Sequence, residues 1–213
     1  MYDVFFLSYD EPHADRHWEI LKGNVPFARR VHGIQGIQAA HKHCASIART
    51  PHFFVVDADN EVIDFSPFEY EVNTWDRDYV HLWFARNPVN GLEYGWGGLK
   101  LFPRSVFART EPRLDMTTSL PLKVFKEVKS ITHFNTSPFE TWRSAFREAV
   151  KLVQNPTEEQ QEWLRVWCTK ASGPHADMCL LGAQEGRKYG NDHQGEELMV
   201  INDYGWLKQE FEG

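Results

Sequence analysis

Apolar residues follow two rhythms along this chain. Val4-Phe5-Phe6-Leu7 and Phe53-Phe54-Val55-Val56 are unbroken apolar blocks, the pattern of short strands buried on both faces. Between them, Ile37, Ala40, Cys44, Ile47 and Ala48 recur at helical spacing. The pattern predicts a strand over 4–8, a short helix over about 14–22, a strand over 28–32, a helix over about 37–49, and a strand that ends at Asp57. Further on it predicts strands over 79–85, 99–102 and about 128–134, with a turn at Asn87-Pro88-Val89-Asn90-Gly91. A helix over 138–153 carries the stripe Phe139, Trp142, Phe146, Val150 and Val153. It opens with Ser137 as cap and Glu140 three residues on, the spacing of a capping box. Helical patterns follow at 158–167, 176–189 and 204–211.

Strand, helix, strand, helix, strand within the first 60 residues predicts an α/β fold: one domain with a mainly parallel, Rossmann-like sheet, flanking helices and a helical carboxy-terminal part. Composition agrees with a globular chain of 213 residues, 42% hydrophobic and 25% charged. No apolar run approaches the roughly 18–20 residues of a membrane helix, and the start lacks a basic leader segment. Cys44, Cys168 and Cys179 are odd in number and far apart, which fits reduced, buried thiols. A cytoplasmic location is expected. The net charge of −7 argues against global attraction to nucleic acid or an anionic membrane.

The candidate chemistry sits at strand ends. Asp57-Ala58-Asp59 closes the Phe53–Val56 strand, and residues i and i+2 of extended backbone point to one side. Two such carboxylates suit a hard cation, Mg²⁺ or Mn²⁺, that takes its remaining ligands from water and phosphate. Ser8-Tyr9-Asp10-Glu11 falls at the end of the first strand, where open α/β sheets bind their ligands. Asp-x-Asp is also an ordinary turn sequence, as is Tyr9-Asp10-Glu11-Pro12.

This ordered set resembles GT-A nucleotide-sugar glycosyltransferases: Tyr9-Asp10-Glu11 after a first strand, Gly33-Ile34-Gln35-Gly36 before a helix, then Asp57-Ala58-Asp59, a Gly97-Gly98 strand and a helix that begins with an acid. Within that group the chain is similar to small bacteriophage enzymes that decorate hydroxymethylated pyrimidines in DNA. The segments 94–104 and 134–148 carry that second likeness. The resemblance implies a nucleotide-binding half over about 1–60, an acceptor and catalytic half over 61–155, and a helical extension over 156–213. It implies that Tyr9 stacks on the donor base while Asp10 or Glu11 bonds its edge or ribose, with Ser8 a further nucleotide-binding candidate. Gly33 and Gly36 let backbone approach the nucleotide, and His41 and Lys42 on the next helix either reach the ligand or line a solvated face. Asp59 is then the direct metal ligand, and Asp57, also part of the metal site, touches the ribose or a metal-bound water. His133 or His175 is the candidate for a third metal ligand.

Glu140 or Asp115 is the candidate general base, Glu140 being also explained as a cap. Arg143 and Arg147 either bind phosphate or form an ordinary helix surface, and one of Arg29 and Arg30 is a phosphate candidate. Trp96, between glycines, either stacks on sugar or base or covers the sheet end. His13 and His17 stand four apart, with no third ligand near them in sequence. The implied cofactors are Mn²⁺ or Mg²⁺ and a nucleotide sugar, a UDP-sugar above all, with modified DNA as acceptor and no membrane partner. Transfer to a saccharide or small metabolite, other metal–nucleotide chemistry, and a non-catalytic nucleotide-binding module are the competing readings. The oligomeric state is open.

Overall fold

The computed structural model describes residues 1–108, 120–154 and 156–213. Their elements run β1 (Asp3–Ser8), α1 (Ala14–Asn24), β2 (Arg29–His32), α2 (Ile37–Ile47), β3 (His52–Asp57), β4 (Asn60–Val62), β5 (Val80–Arg86), β6 (Glu93–Tyr94), β7 (Leu99–Pro103) and β8 (Leu122–Thr132). Four helices follow: α3 (Pro138–Leu152), α4 (Glu158–Thr169), α5 (Ala176–Asp192) and α6 (Tyr204–Glu212). By contact the described residues fall into two compact units. Residues 1–87, 93–108 and 120–133 form a sheet unit; residues 88–92, 134–154 and 156–213 form a helical unit.

In the sheet unit the strand order is β2-β1-β3-β7-β5-β8-β4, with β6 paired to β5. β1 runs parallel to both β2 and β3, as the amino-terminal alternation predicts. β5 and β8 are parallel over the longest register, while β7 lies antiparallel between β3 and β5. The uninterrupted apolar blocks are explained by burial on both faces. Val4 and Phe6 pack with Phe54, Val56, Trp83 and Leu99 on one side. Phe5 and Leu7 pack with Phe53, Val55, Cys44 and Phe102 on the other. Each fully buried Phe or Leu adds roughly 1.5–3 kcal/mol of transfer free energy.

Asp3 fastens the start of β1 to the end of α2. Its carboxylate accepts from the backbone nitrogens of Arg49 (2.6 Å) and Thr50 (3.0 Å) and from Arg29 Nη2 (2.8 Å). Burial alone would raise the Asp3 carboxyl, but these donors outweigh it and hold it below the usual carboxylate range. α2 therefore stops at Ile47, two residues before the predicted end.

Three strand features escape the apolar rhythm. β4 and β6 have three and two residues, too short for a period to show. β8 starts at Leu122 instead of near 128, because Lys123, Lys126, Glu127 and Lys129 interrupt its apolar positions.

In the helical unit Trp142, Phe146 and Val150 of α3 are buried with Leu198, Ile201 and Leu207. α5 brings Gly182 and Gly186 onto the carbonyl oxygens of Trp142 and Phe146, where a Cβ would overlap backbone. The Cys44, Cys168 and Cys179 thiols are free and buried. The predicted capping box at Ser137 is half formed. Ser137 Oγ accepts from Glu140 N at 3.1 Å, but the Glu140 carboxylate goes to Arg143 and Tyr204. No helix among the described residues is long and apolar enough to cross a membrane.

Candidate active site

Register brings the predicted strand-end residues to one edge of the sheet unit. Leu7 pairs with Asp57 and Ser8 with His32, so three chain segments leave the sheet together. Ala58 N donates to Leu7 O at 2.8 Å, and Gly33 N donates to Ser8 O at 3.0 Å. Beyond these ends lies a surface depression of about 540 Å³, lined by Tyr9, Asp10, Glu11, Asp15, Arg30 and His32 among others. Tyr9 is exposed, and its backbone N–H is held by Glu11 Oε2 at 2.7 Å. Ser8 Oγ bonds His32 Nδ1 (3.1 Å) and accepts from Arg30 Nε (2.8 Å). Arg29, by contrast, is committed to Asp3 and to the Ile47 carbonyl. Gly33 and Gly36 both take positive φ (77° and 89°), which explains glycine at these two turns; α2 begins immediately after the second.

Asp57 is the most unusual group at this edge. Its Oδ1 is buried and has no hydrogen-bond partner among the described residues. Burial pushes the carboxyl up to about 6; Lys100 pulls it down and the Glu11 carboxylate pushes it further up. Gly98 makes the packing possible, because a Cβ there would lie 2.5 Å from Asp57 Oδ2 and 2.6 Å from Asn60 Nδ2. Asn60, 1% exposed, then fixes the second aspartate. Its Nδ2 donates to Asp59 Oδ1 (2.9 Å), while its Oδ1 accepts from Ser130 Oγ (3.1 Å) and Thr132 Oγ1 (2.9 Å). The edge thus carries an orphaned buried carboxylate oxygen on Asp57 and, two residues on, an Asp59 carboxylate held by Asn60; carboxylate oxygens are the donor type that Mg²⁺ and Mn²⁺ take.

Other predicted site residues lie elsewhere. His41 is turned into the core: its Nδ1 bonds the Ile37 carbonyl at 2.7 Å, and its ring packs on Phe102 and Phe107. Lys42 is on the exposed face of α2. His133, expected beside the two aspartates, donates its backbone N–H to the Asp59 carbonyl at 2.7 Å, while its Nε2 bonds Glu61 Oε2 at 2.9 Å; Glu61 pairs with Ile131, two residues before His133, in the antiparallel β4–β8 ladder. His175 precedes α5 in the helical unit with φ 59°. Trp96 donates from Nε1 to Ala85 O at 3.3 Å and stacks on Tyr94, which serves the sheet.

Glu140, Arg143 and Arg147 belong to the helical unit. Arg143 binds Glu140 and covers the Tyr204 ring, and Arg147 donates to Asn202 Oδ1 at 2.8 Å. Asp115 lies outside the described residues.

Sequence reasoning missed Asn60 and Lys100. Lys100 had a signal, a lone cation in the strand that follows Gly97-Gly98. It also missed that His17 joins Glu61 and His133; each offers a ligand atom within 4.8 Å of the other two.

No protein-family model and no curated protein matches the sequence. Among solved structures, the chain is similar to A197 from STIV at TM-score 0.45 and 9% identity, over 61% of this chain and 84% of that one. HddC from Yersinia pseudotuberculosis aligns at TM-score 0.36 and 13% identity, over 59% and 90%. S. aureus TarS (residues 1–349) aligns at TM-score 0.38 and 10% identity, over 97% and 80%.

Proposed function

We propose that this chain is a metal-dependent glycosyltransferase that takes a nucleoside-diphosphate sugar of the UDP class and delivers the sugar to a hydroxyl. The observation that carries this reading is the buried, unpartnered Asp57 oxygen at the end of β3, beside Asp59 and the Tyr9–Glu11 depression. Burying a carboxylate without a partner costs several kcal/mol, and a cation site is a physical reason to keep one.

In this reading Asp57 and Asp59 hold the ion, and Asn60 keeps the Asp59 carboxylate in one orientation. A bound Mg²⁺ or Mn²⁺ supplies Lewis-acid stabilisation of the departing diphosphate. Tyr9 offers an exposed ring for the base, and Arg30 a guanidinium at the same depression. A transfer that inverts stereochemistry also needs a general base. Asp115 and Glu140 are the acids put forward for it, and replacing each by its amide identifies which is required.

For the acceptor we favour a hydroxymethyl-pyrimidine in DNA, on the likeness of segments 94–104 and 134–148 to phage DNA-modifying enzymes. The test is release of UDP from a panel of UDP-sugars with Mn²⁺, with plain DNA, hydroxymethylcytosine DNA or an oligosaccharide as acceptor. The account expects turnover that depends on metal and on modified DNA, and a fall of at least 10²-fold in Asp59→Asn. Turnover with the oligosaccharide alone keeps the transferase and removes the DNA acceptor. Turnover unchanged in Asp59→Asn contradicts the metal role.

A further inference from the structure

Outside the carboxylate site, the sheet unit gathers a second set of ligating side chains. His17 comes from α1, Glu61 from β4 and His133 from the residue after β8. One ligand atom from each lies within 4.8 Å of the others. Tetrahedral zinc, with bonds of about 2.0–2.2 Å, sets its ligand atoms roughly 3.4 Å apart. His133 Nε2 and Glu61 Oε2 are 2.9 Å apart already, and the His17 and His133 rings are 5.3 Å apart by their centres. Small rotations of the side chains are enough to open the group around an ion.

The His17 ring is also oriented as a ligand is. Its Nδ1 lies 2.7 Å from the Ala58 carbonyl oxygen, which can only accept, so Nδ1 carries the proton and the Nε2 lone pair is left for another partner. This arrangement, one ring nitrogen bonded to a backbone carbonyl, is how metal-ligating histidines are usually held. His13, an exposed residue one turn before His17, brings a third imidazole 5.7 Å from His17 and 6.0 Å from His133 by ring centres. Arg16 Nη2 lies 3.5 Å from Glu61 Oε1; being 69% exposed, it can swing away when Glu61 takes a cation.

We propose that His17, Glu61 and His133 form a binding site for a transition-metal ion of the Zn²⁺ class, distinct from the Asp57–Asp59 site. The donors set the selectivity. Imidazole nitrogens favour Zn²⁺, Co²⁺ and Ni²⁺, whereas the carboxylates of Asp57 and Asp59 suit Mg²⁺ and Mn²⁺. The site has a structural consequence. His17 holds the Ala58 carbonyl, and the His133 backbone nitrogen donates to the Asp59 carbonyl at 2.7 Å. An ion that joins His17 to His133 therefore clamps the backbone of the Asp57-Ala58-Asp59 turn from both sides.

The test is titration of the full-length protein with Zn²⁺ in the absence of nucleotide, with Co²⁺ as a spectroscopic probe. Four proteins are compared: the parent, His133→Ala, Glu61→Gln and the double variant Asp57→Asn/Asp59→Asn. His133 and Glu61 are partly exposed, and circular dichroism checks that their variants fold. The expected result is one Zn²⁺ per chain, affinity lowered 10-fold or more in His133→Ala and in Glu61→Gln, and affinity retained in the double aspartate variant. Co²⁺ should show the intense visible band of a tetrahedral site in the parent and lose it in His133→Ala. Equal Zn²⁺ affinity in the parent and His133→Ala overturns the proposal: the three groups then simply pair with one another through the His133–Glu61 bond. Binding lost only in the double aspartate variant overturns it as well, since the ion then sits between the aspartates. Neither result bears on nucleotide-sugar turnover, which is tested separately.

Discussion

Asp57 links the stability of the sheet unit to the chemistry at its edge. Its carboxyl is raised to about 6 from an ordinary 3.8, chiefly by burial. An acid with a raised folded-state pKa binds its proton more tightly folded than unfolded. Without a cation, stability therefore falls as pH rises from about 4 to about 6 and stays lower above, by of order 1–3 kcal/mol. Asp57→Asn should flatten that part of the pH profile and raise the melting temperature at pH 7.5 in a metal-free buffer. A profile between pH 4 and 6 unchanged by the substitution would show that Asp57 is not the titrating group. Asn60 makes the complementary case. Asn60→Ala leaves two buried hydroxyls and Asp59 without their shared partner, a loss of about 1–3 kcal/mol in denaturant titration. Gly98→Ala should cost about 1–3 kcal/mol through overpacking against Asp57 and Asn60, and should weaken metal binding with it. Sequence alone shows the two aspartates, since a strand pattern runs straight into them. It does not show which carboxylate lacks a partner, because that depends on Gly98 and Asn60, which are distant in sequence or look like turn residues.

Secondary elements divide by how their signal arises. α3, α4 and α5 show their helical period, α3 also its Ser137 cap, and all three lie where the pattern puts them; the Thr157–Gln160 capping box of α4 emerges only in the structure. β1 and β3 are legible as apolar blocks, whereas β2, Arg29–His32 with Val31 as its one apolar residue, is placed by the strand–helix alternation around it. β8 is half hidden because it carries lysines on a partly solvated strand, and pairing with β5 overrides its weak pattern. The glycines of α5 read as helix weakness, yet Gly182 and Gly186 are contact points. Gly182→Ala gains helix propensity of about 1 kcal/mol but puts a Cβ onto the Trp142 carbonyl. The net effect should be destabilising, with α3 and α5 losing amide-exchange protection together. Asp3 is a loop clamp of the same order. Its folded-state pKa is depressed, so its contribution is present above about pH 4 and is lost as pH falls through the lower folded value. Asp3→Asn should therefore cost stability at pH 7, with the gap to the parent narrowing below pH 4.

For the molecule as a whole, a net charge of −7 sits beside a proposed nucleic-acid acceptor. Of the cations nominated for phosphate, Arg143 is paired with Glu140 and Arg147 donates from Nη2 to Asn202. DNA affinity should accordingly be weak and fall steeply with salt, and specificity has to come from the modified base. The strand-end acids of the donor side were visible in sequence, and the register of β1 on β3 brings them to one edge with the Tyr9–Glu11 depression. What the sequence left out was tertiary. His41 stands on a helix face that packs on Phe102 and Phe107, and His133, bonded through its backbone to Asp59, turns its ring to Glu61 and His17.

The central claim is a cation-dependent nucleoside-diphosphate site at Asp57 and Asp59. It is tested most directly by thermal unfolding with UDP, GDP or CDP, each with and without Mn²⁺, in the parent and in Asp59→Asn. Ligand at 100 times its dissociation constant adds about 2.7 kcal/mol to the folded state. The account predicts such a rise with UDP and Mn²⁺ together, little with either alone, and none in Asp59→Asn. Equal melting temperatures with and without every diphosphate, at saturating Mn²⁺, would contradict it.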